Sequence, residues 1–336
     1  MKKTMLKVGI IGGGSWGTTV ASLVARNAHA TLWARDEQTV KDINEHHQNK
    51  KYLNGFPLNK SLKASNSLED TLSDADVIVM AVPSQNYRSV LENMKPFVRP
   101  WIPIVSLTKG LEQGTCLRMT QIVENFFPEH PVGVLTGPNL AKEILQGQAA
   151  AAVIAMEDKN IGKALQKIFS TGLFRVYTNN DVIGCEVAGA LKNVIAIAAG
   201  MGDGAGAGDN TRATVITRGL SELSRLGVAM GGKRRTFAGL AGMGDLLATC
   251  ISPLSRNRSV GIKLGQGMKI DEIIAEMSMV AEGVKTSGVV IELAKRYGVE
   301  MPIAHEVYKV VNGEGTMMES FRGLIKTQSG KESEPG

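Results

Sequence analysis

The stretch VGIIGGGSWGTTVA, residues 8–21, decides the fold. A β-branched run (7–11) ends at Gly12. Gly12, Gly14 and Gly17 then stand in G-x-G-x-x-G spacing where a helix opens, expected from Ser15 to about Asn27. In that context the first glycine makes the turn, the second lets the backbone approach a pyrophosphate, and the third lets helix and strand pack closely. The free N–H groups at the helix start face the phosphates. A second strand, ATLWA (30–34), leads into Arg35 and Asp36. An acid there would hold the ribose 2′-hydroxyl of NAD, whereas an arginine would accept the 2′-phosphate of NADP. The pair offers both, so NADP is expected on Arg35 and NAD stays open.

Outward from this stretch the same grammar repeats. Apolar runs at 77–82, 102–107, 131–135 and 151–156 alternate with amphipathic segments. Near-continuous apolar strands divided by helices imply a parallel sheet covered on both faces. Residues 36–60 are polar and read as a helix and loop inserted after the second strand. From Asp181 the strands stop, and segments 181–201, 210–227, 255–265, 271–278, 283–297 and 302–312 all carry helical patterning. The expected fold class is α/β, an N-terminal Rossmann-type doubly wound parallel sheet followed by an all-α C-terminal domain. The expected limits are 1–180 for dinucleotide binding, 181–326 for substrate and catalysis, and 327–336 for a disordered tail.

The composition narrows the partners. The chain has 336 residues and a formal net charge of +6, with a sequence pI of about 9.1. Its basic residues are scattered, without zinc-finger spacing or aromatic-basic interleaving, so nucleic acid is not expected. A phosphorylated small molecule suits a mildly basic enzyme better. Cys116, Cys185 and Cys250 lie far apart and suggest reduced thiols in a cytoplasmic protein, with no metal site. No stretch is expected to reach the roughly 20 apolar residues of a membrane span.

Ligands of open α/β sheets bind beyond the carboxyl ends of the strands. Pro83 and Ser84, then Lys109, then Gly137, Pro138 and Asn139 fall there. In the helical half, Asp245 follows an apparent glycine turn, and Ser255-Arg256-Asn257-Arg258 opens a helix. Backbone donors, a positive dipole end and guanidinium forks suit a phosphate monoester, although Asp245 and Ser255 could equally be helix caps. The run CEVAGALKNVIAIAAGMGDG (185–204) holds a cation, Lys192, whose helical neighbours include no carboxylate.

SWGTTVA, SLTKGLE, GPNLAKEI, EVAGALKNVIAIAAGMGDG, NTRATVITRGLSEL, GLAGMGDLLATC, SPLSRNRSVG and VAEGVKTS occur in this order over residues 8–288. Together they resemble the bacterial NAD(P)-dependent glycerol-3-phosphate dehydrogenases. The resemblance implies an oxidoreductase acting on CH–OH that interconverts dihydroxyacetone phosphate and sn-glycerol 3-phosphate for phospholipid synthesis. It implies Lys192 as proton acceptor and Lys109 as a contact of both substrate and cofactor. It places Gly137, Asn139, Asp245, Ser255, Arg256 and Asn257 around the substrate. It assigns Ser15, Trp16, Arg35, Ala141, Arg256, Val280 and Glu282 to the cofactor. The chain departs from the family's usual Ser-Phe at Asn139-Leu140, and carries Arg212 where lysine is common.

A lysine in water is too basic for proton exchange at neutral pH. Burial disfavours its ammonium, and nearby cations such as Lys109 and Arg256 would lower its pKa further. Lys192 is therefore expected to be the general acid–base, with Asn193 and Asp245 holding substrate hydroxyls and Asp245 also orienting the amine. The alternative partner for Lys192 is Asp203, eleven residues on. An apolar all-α domain suggests a homodimer. The competing readings are a β-hydroxyacid dehydrogenase of similar architecture and a cofactor-binding regulator without turnover.

Overall fold

Lys7–Ile11 forms β1, buried from Val8 onward, as a run with apolar residues on both faces requires. The other strands are β2 (His29–Trp33), β3 (Lys63–Ser65), β4 (Val77–Met80), β5 (Ile104–Ser106), β6 (Val132–Thr136), β7 (Ala150–Met156) and β8 (Phe174–Asn179). They make one eight-stranded sheet in the order β3-β2-β1-β4-β5-β6-β7-β8. The computed structural model describes residues 5–277 and 281–320. The tail expected at 327–336 lies outside the described residues.

The order steps outward from β1 in both directions, as doubly wound sheets do. β3 and β8 are additional to the strands read from sequence. The sheet is parallel as expected except at one pair, β6 and β7, which run antiparallel. The connection from β6 to β7 carries a helix of only 5 residues. At ~1.5 Å per residue it rises about 8 Å. A strand as long as β7 spans roughly 20 Å, so the chain turns back rather than crossing over.

The chain divides into two units. The first is residues 5–108 with 119–182, built on the sheet. The second is 109–118 with 183 onward, and it is helical. Segment 109–118 belongs with the helices because Leu111 and Cys116 enter their core and Arg118 pairs with buried Glu186 at 2.7 Å.

The second unit is organised on the helix Val182–Gly204. Its Leu191 and Ile195 share one core with Leu226, Leu246, Val260, Val290 and Val307. At 23 residues this helix is long and apolar enough to cross a membrane, which corrects the expectation that no stretch approaches that limit. What surrounds it is protein, with 89% of its apolar window buried. Glycines let it touch the helix Arg256–Gly265 backbone to backbone. A Cβ on Gly200 would sit 2.2 Å from the Arg258 carbonyl oxygen, and one on Gly261 would sit 2.1 Å from that of Ile197. This contact holds the Ser-Arg-Asn-Arg segment against the helix that carries Lys192.

Candidate active site

In the first unit the glycine loop has the geometry its spacing implies. Gly12 has φ +121°, and a Cβ there would strike the Ala81 carbonyl at 2.5 Å. A Cβ on Gly17 would lie 2.1 Å from the Gly12 carbonyl, so helix α1 (Ser15–Val24) meets the strand closely only because that position is bare. Gly14 faces open space and caps α1 without a side-chain bond. The indole Nε1 of Trp16 is buried and has no hydrogen-bond partner among the described residues. An open glycine, a helix N-terminus without an acidic first turn and an unused donor make a cradle that fits a pyrophosphate. Gly137 has φ +127° and follows β6, with Asn139 and Ala141 beside it at the start of a short helix. Arg35 is exposed beyond β2.

The second unit assembles the titratable groups. Asp245, 1% exposed, is the first residue of the helix Asp245–Ile251. A π-helical turn (Leu240–Gly244) precedes it, rather than the glycine turn expected. One carboxylate oxygen accepts from Lys109 Nζ at 2.7 Å, and the other accepts from Lys192 Nζ. Lys192 also donates to Thr249 Oγ1 at 2.5 Å, and that hydroxyl donates to the Asp245 carbonyl at 2.6 Å. The cation on the apolar helix thus meets a carboxylate from another element. The alternative partner, Asp203, is occupied by Arg212 and Arg258.

An ammonium has three N–H donors. Asp245 and Thr249 take two from Lys192, and the third has no partner among the described residues. Burial pushes the Lys109 ammonium down to about 7, opposed by the charge of Asp245 and reinforced by that of Lys192. Burial likewise pushes the free Cys250 thiol up to about 12, so it is inert.

Around this triad runs an amide relay. Asn193 donates to the Lys109 carbonyl at 3.0 Å and accepts from Asn257 at 3.0 Å. Asn257 in turn accepts from the Gly283 N–H at 2.9 Å. These bonds hold four chain segments together. Ser255 caps the helix Arg256–Gly265 by accepting from the Arg258 N–H, and Arg258 pairs with Asp203. Arg256 stands at the same helix start, where desolvation by the surrounding protein pulls its guanidinium below the usual range and the Glu282 charge opposes that shift.

The expected site residues therefore fall into two groups. Gly12, Gly14, Ser15, Trp16, Gly17, Arg35, Gly137, Asn139 and Ala141 lie in the first unit. Lys109, Lys192, Asp245, Ser255, Arg256, Asn257 and Glu282 lie in the second. Val280 lies outside the described residues. Thr249 was not expected, although its place four residues after Asp245 on one helix is a readable signal.

Comparison with known proteins gives a single answer. The N-terminal and C-terminal family models described as NAD-dependent glycerol-3-phosphate dehydrogenase match residues 7–162 and 181–322. A glycerol-3-phosphate dehydrogenase [NAD(P)+] of Sphingopyxis alaskensis is 60% identical over 98% of this chain and 99% of its own. One from Mycobacterium tuberculosis is 54% identical, covering 97% and 96%. The crystal structure of glycerol-3-phosphate dehydrogenase from Coxiella burnetii superposes with a TM-score of 0.91 at 34% identity, covering 96% and 99%.

Proposed function

The chain belongs to the NAD-dependent glycerol-3-phosphate dehydrogenase family, and from that premise we propose that it reduces dihydroxyacetone phosphate reversibly to sn-glycerol 3-phosphate for phospholipid synthesis. The carrying observation is one buried carboxylate, Asp245, held by two lysines, with a donor of Lys192 left over. NADPH or NADH, when bound, supplies the hydride. Lys192 gives its proton to the alkoxide that develops on the ketone oxygen, and takes it back in reverse. Asp245 and Thr249 hold the Lys192 amine in one direction. Lys109 adds a second cation beside the developing negative charge.

The remaining assignments follow the same reading. The first unit binds the dinucleotide through Gly12, Gly14, Ser15, Trp16, Gly17, Arg35 and Ala141. Val280 and Glu282 of the second part of the chain complete that list. Lys109, Gly137, Asn139, Asp245, Ser255, Arg256 and Asn257 are assigned to substrate binding, and Lys109 and Arg256 are assigned to the cofactor as well. The enzyme is cytoplasmic and acts as a homodimer; exposed Leu247, Ile251 and Leu254, close together in sequence, support a covered surface in the helical unit.

Reduction of dihydroxyacetone phosphate but not of dihydroxyacetone is expected; equal rates with both would overturn a phosphate-binding site. Arg256→Ala should raise KM for the phosphorylated ketone by about tenfold or more, since a charge-assisted contact is worth ~1.5–3 kcal/mol. Steady-state kinetics checks this, and an unchanged KM removes Arg256 from the site.

A pH dependence follows from Lys109. Its cation is present below about 7 and is lost as pH rises through that value. KM for the dianionic substrate should therefore climb from neutral to alkaline pH. A flat profile would mean that Lys109 carries no binding charge.

A further inference from the structure

Asp36 stands where the acid of an NAD site accepts a ribose hydroxyl. Here its carboxylate is already in use. Asp36 is the N-cap of helix α2 (Glu37–His46), and one oxygen accepts from the Thr39 N–H at 2.9 Å and the Thr39 hydroxyl at 2.5 Å. The bonds from Thr39 hold the carboxyl below its usual range, so it stays ionised as a cap. Its other oxygen faces Lys51 Nζ at 3.8 Å.

The position of Lys51 is built. It lies on the one-turn helix α3 (Lys50–Leu53), whose N-cap is Asn49. Asn49 is fully buried. Its amide nitrogen donates to the Gly13 carbonyl at 2.8 Å and to Thr18 Oγ1 at 2.9 Å, and its oxygen accepts from the Tyr52 N–H at 3.2 Å. The Ser15 hydroxyl donates to the Tyr52 carbonyl at 3.3 Å. The polar insert after β2 is thereby bonded to the glycine loop at both ends of this turn. Beneath the loop, a Cβ on Gly13 would meet that of Ala34 at 2.7 Å, which ties the loop to the residue before Arg35.

We propose that Lys51, placed by Asn49 on the glycine loop, is a specificity-determining residue that acts with Arg35 to select the 2′-phosphate of NADP, and that Asp36 does not select NAD. Lys51 then faces that carboxylate, and the carboxylate is oriented by Thr39 rather than by a ribose. Arg35 is exposed and forms no ion pair among the described residues, so its fork is available to a phosphate. The exposed Lys51–Asp36 pair is too loose to be worth much for stability. Its consequence is the sign of the charge beside the ribose.

This inference rests on the reading of the first unit as a dinucleotide-binding unit, and the test separates the two. Affinities for adenosine 2′,5′-bisphosphate and for AMP are measured by calorimetry on the full chain and on Lys51→Gln and Lys51→Glu. The ligands differ only in the 2′-phosphate. The wild type should prefer the bisphosphate by about tenfold, the size of one good charge-assisted contact. Lys51→Gln should lower that ratio severalfold and Lys51→Glu should lower it further. The KM ratio of NADPH to NADH should move in parallel. A ratio unchanged in both variants, while the nucleotides and both cofactors still bind, overturns the role of Lys51 alone. Failure of the wild type to bind NADPH and NADH overturns the dinucleotide reading itself.

Discussion

Lys192→Ala should lose nearly all turnover while still binding NADPH. The expected fall in kcat is about a hundred- to ten-thousand-fold, the usual contribution of a positioned acid–base group. Lys192 is 5% exposed, so water does not readily stand in for its amine. Alanine suits the interior of a helix and leaves Asp245 paired with Lys109, so the second unit keeps a compensated carboxylate. The bonds of Lys192 run to Asp245 and Thr249 of its own unit, so cofactor affinity, read by fluorescence titration, should hold. Retained turnover would remove Lys192 from the chemistry. Partial recovery of rate with added methylamine would identify the missing group as an amine.

Asp245→Asn should damage both stability and rate. Both lysines reach the carboxylate of this aspartate, and its side chain is 2% exposed. An asparagine of the same shape offers one oxygen and one NH₂ group. One ammonium would then face a donor, with two positive charges left close together in a poorly solvated space. Breaking a buried ion pair by removing one partner costs about 3–5 kcal/mol. The exposure of Lys109, at 16%, argues for the lower end of that range. The amine of Lys192 would also lose its aim, so kcat should fall with KM less affected. Urea unfolding and steady-state kinetics read the two effects separately. A variant as stable and as fast as the parent would contradict the account of the triad.

The sequence carried the parts of this fold that depend on near neighbours. Gly12 and Gly17 were readable because turn, strand and helix fall within fourteen residues. β3 was not readable, since Lys63–Ser65 is three residues long and mostly polar. β8 alternates buried and exposed positions at the sheet edge, where the pattern of a buried strand no longer applies. Lys192 stood out because no helical neighbour could balance it, but its carboxylate lies 53 residues away and only folding makes the pair. The amide relay through Asn193 and Asn257 is of the same kind. Two asparagines 64 residues apart give no periodic signal. Asp36 left NADP and NAD both open, and its bond from the Thr39 N–H appears only once the helix it caps has formed.

The central claim is that this chain reduces a small phosphorylated ketone with a nicotinamide cofactor and a lysine proton donor. The most direct measurement is the loss of NADPH absorbance by the purified protein with and without dihydroxyacetone phosphate. The account predicts oxidation that depends on the ketone phosphate and produces sn-glycerol 3-phosphate in equal amount. Tight NADPH binding with no oxidation on adding the ketone phosphate, from either NADPH or NADH, would contradict it.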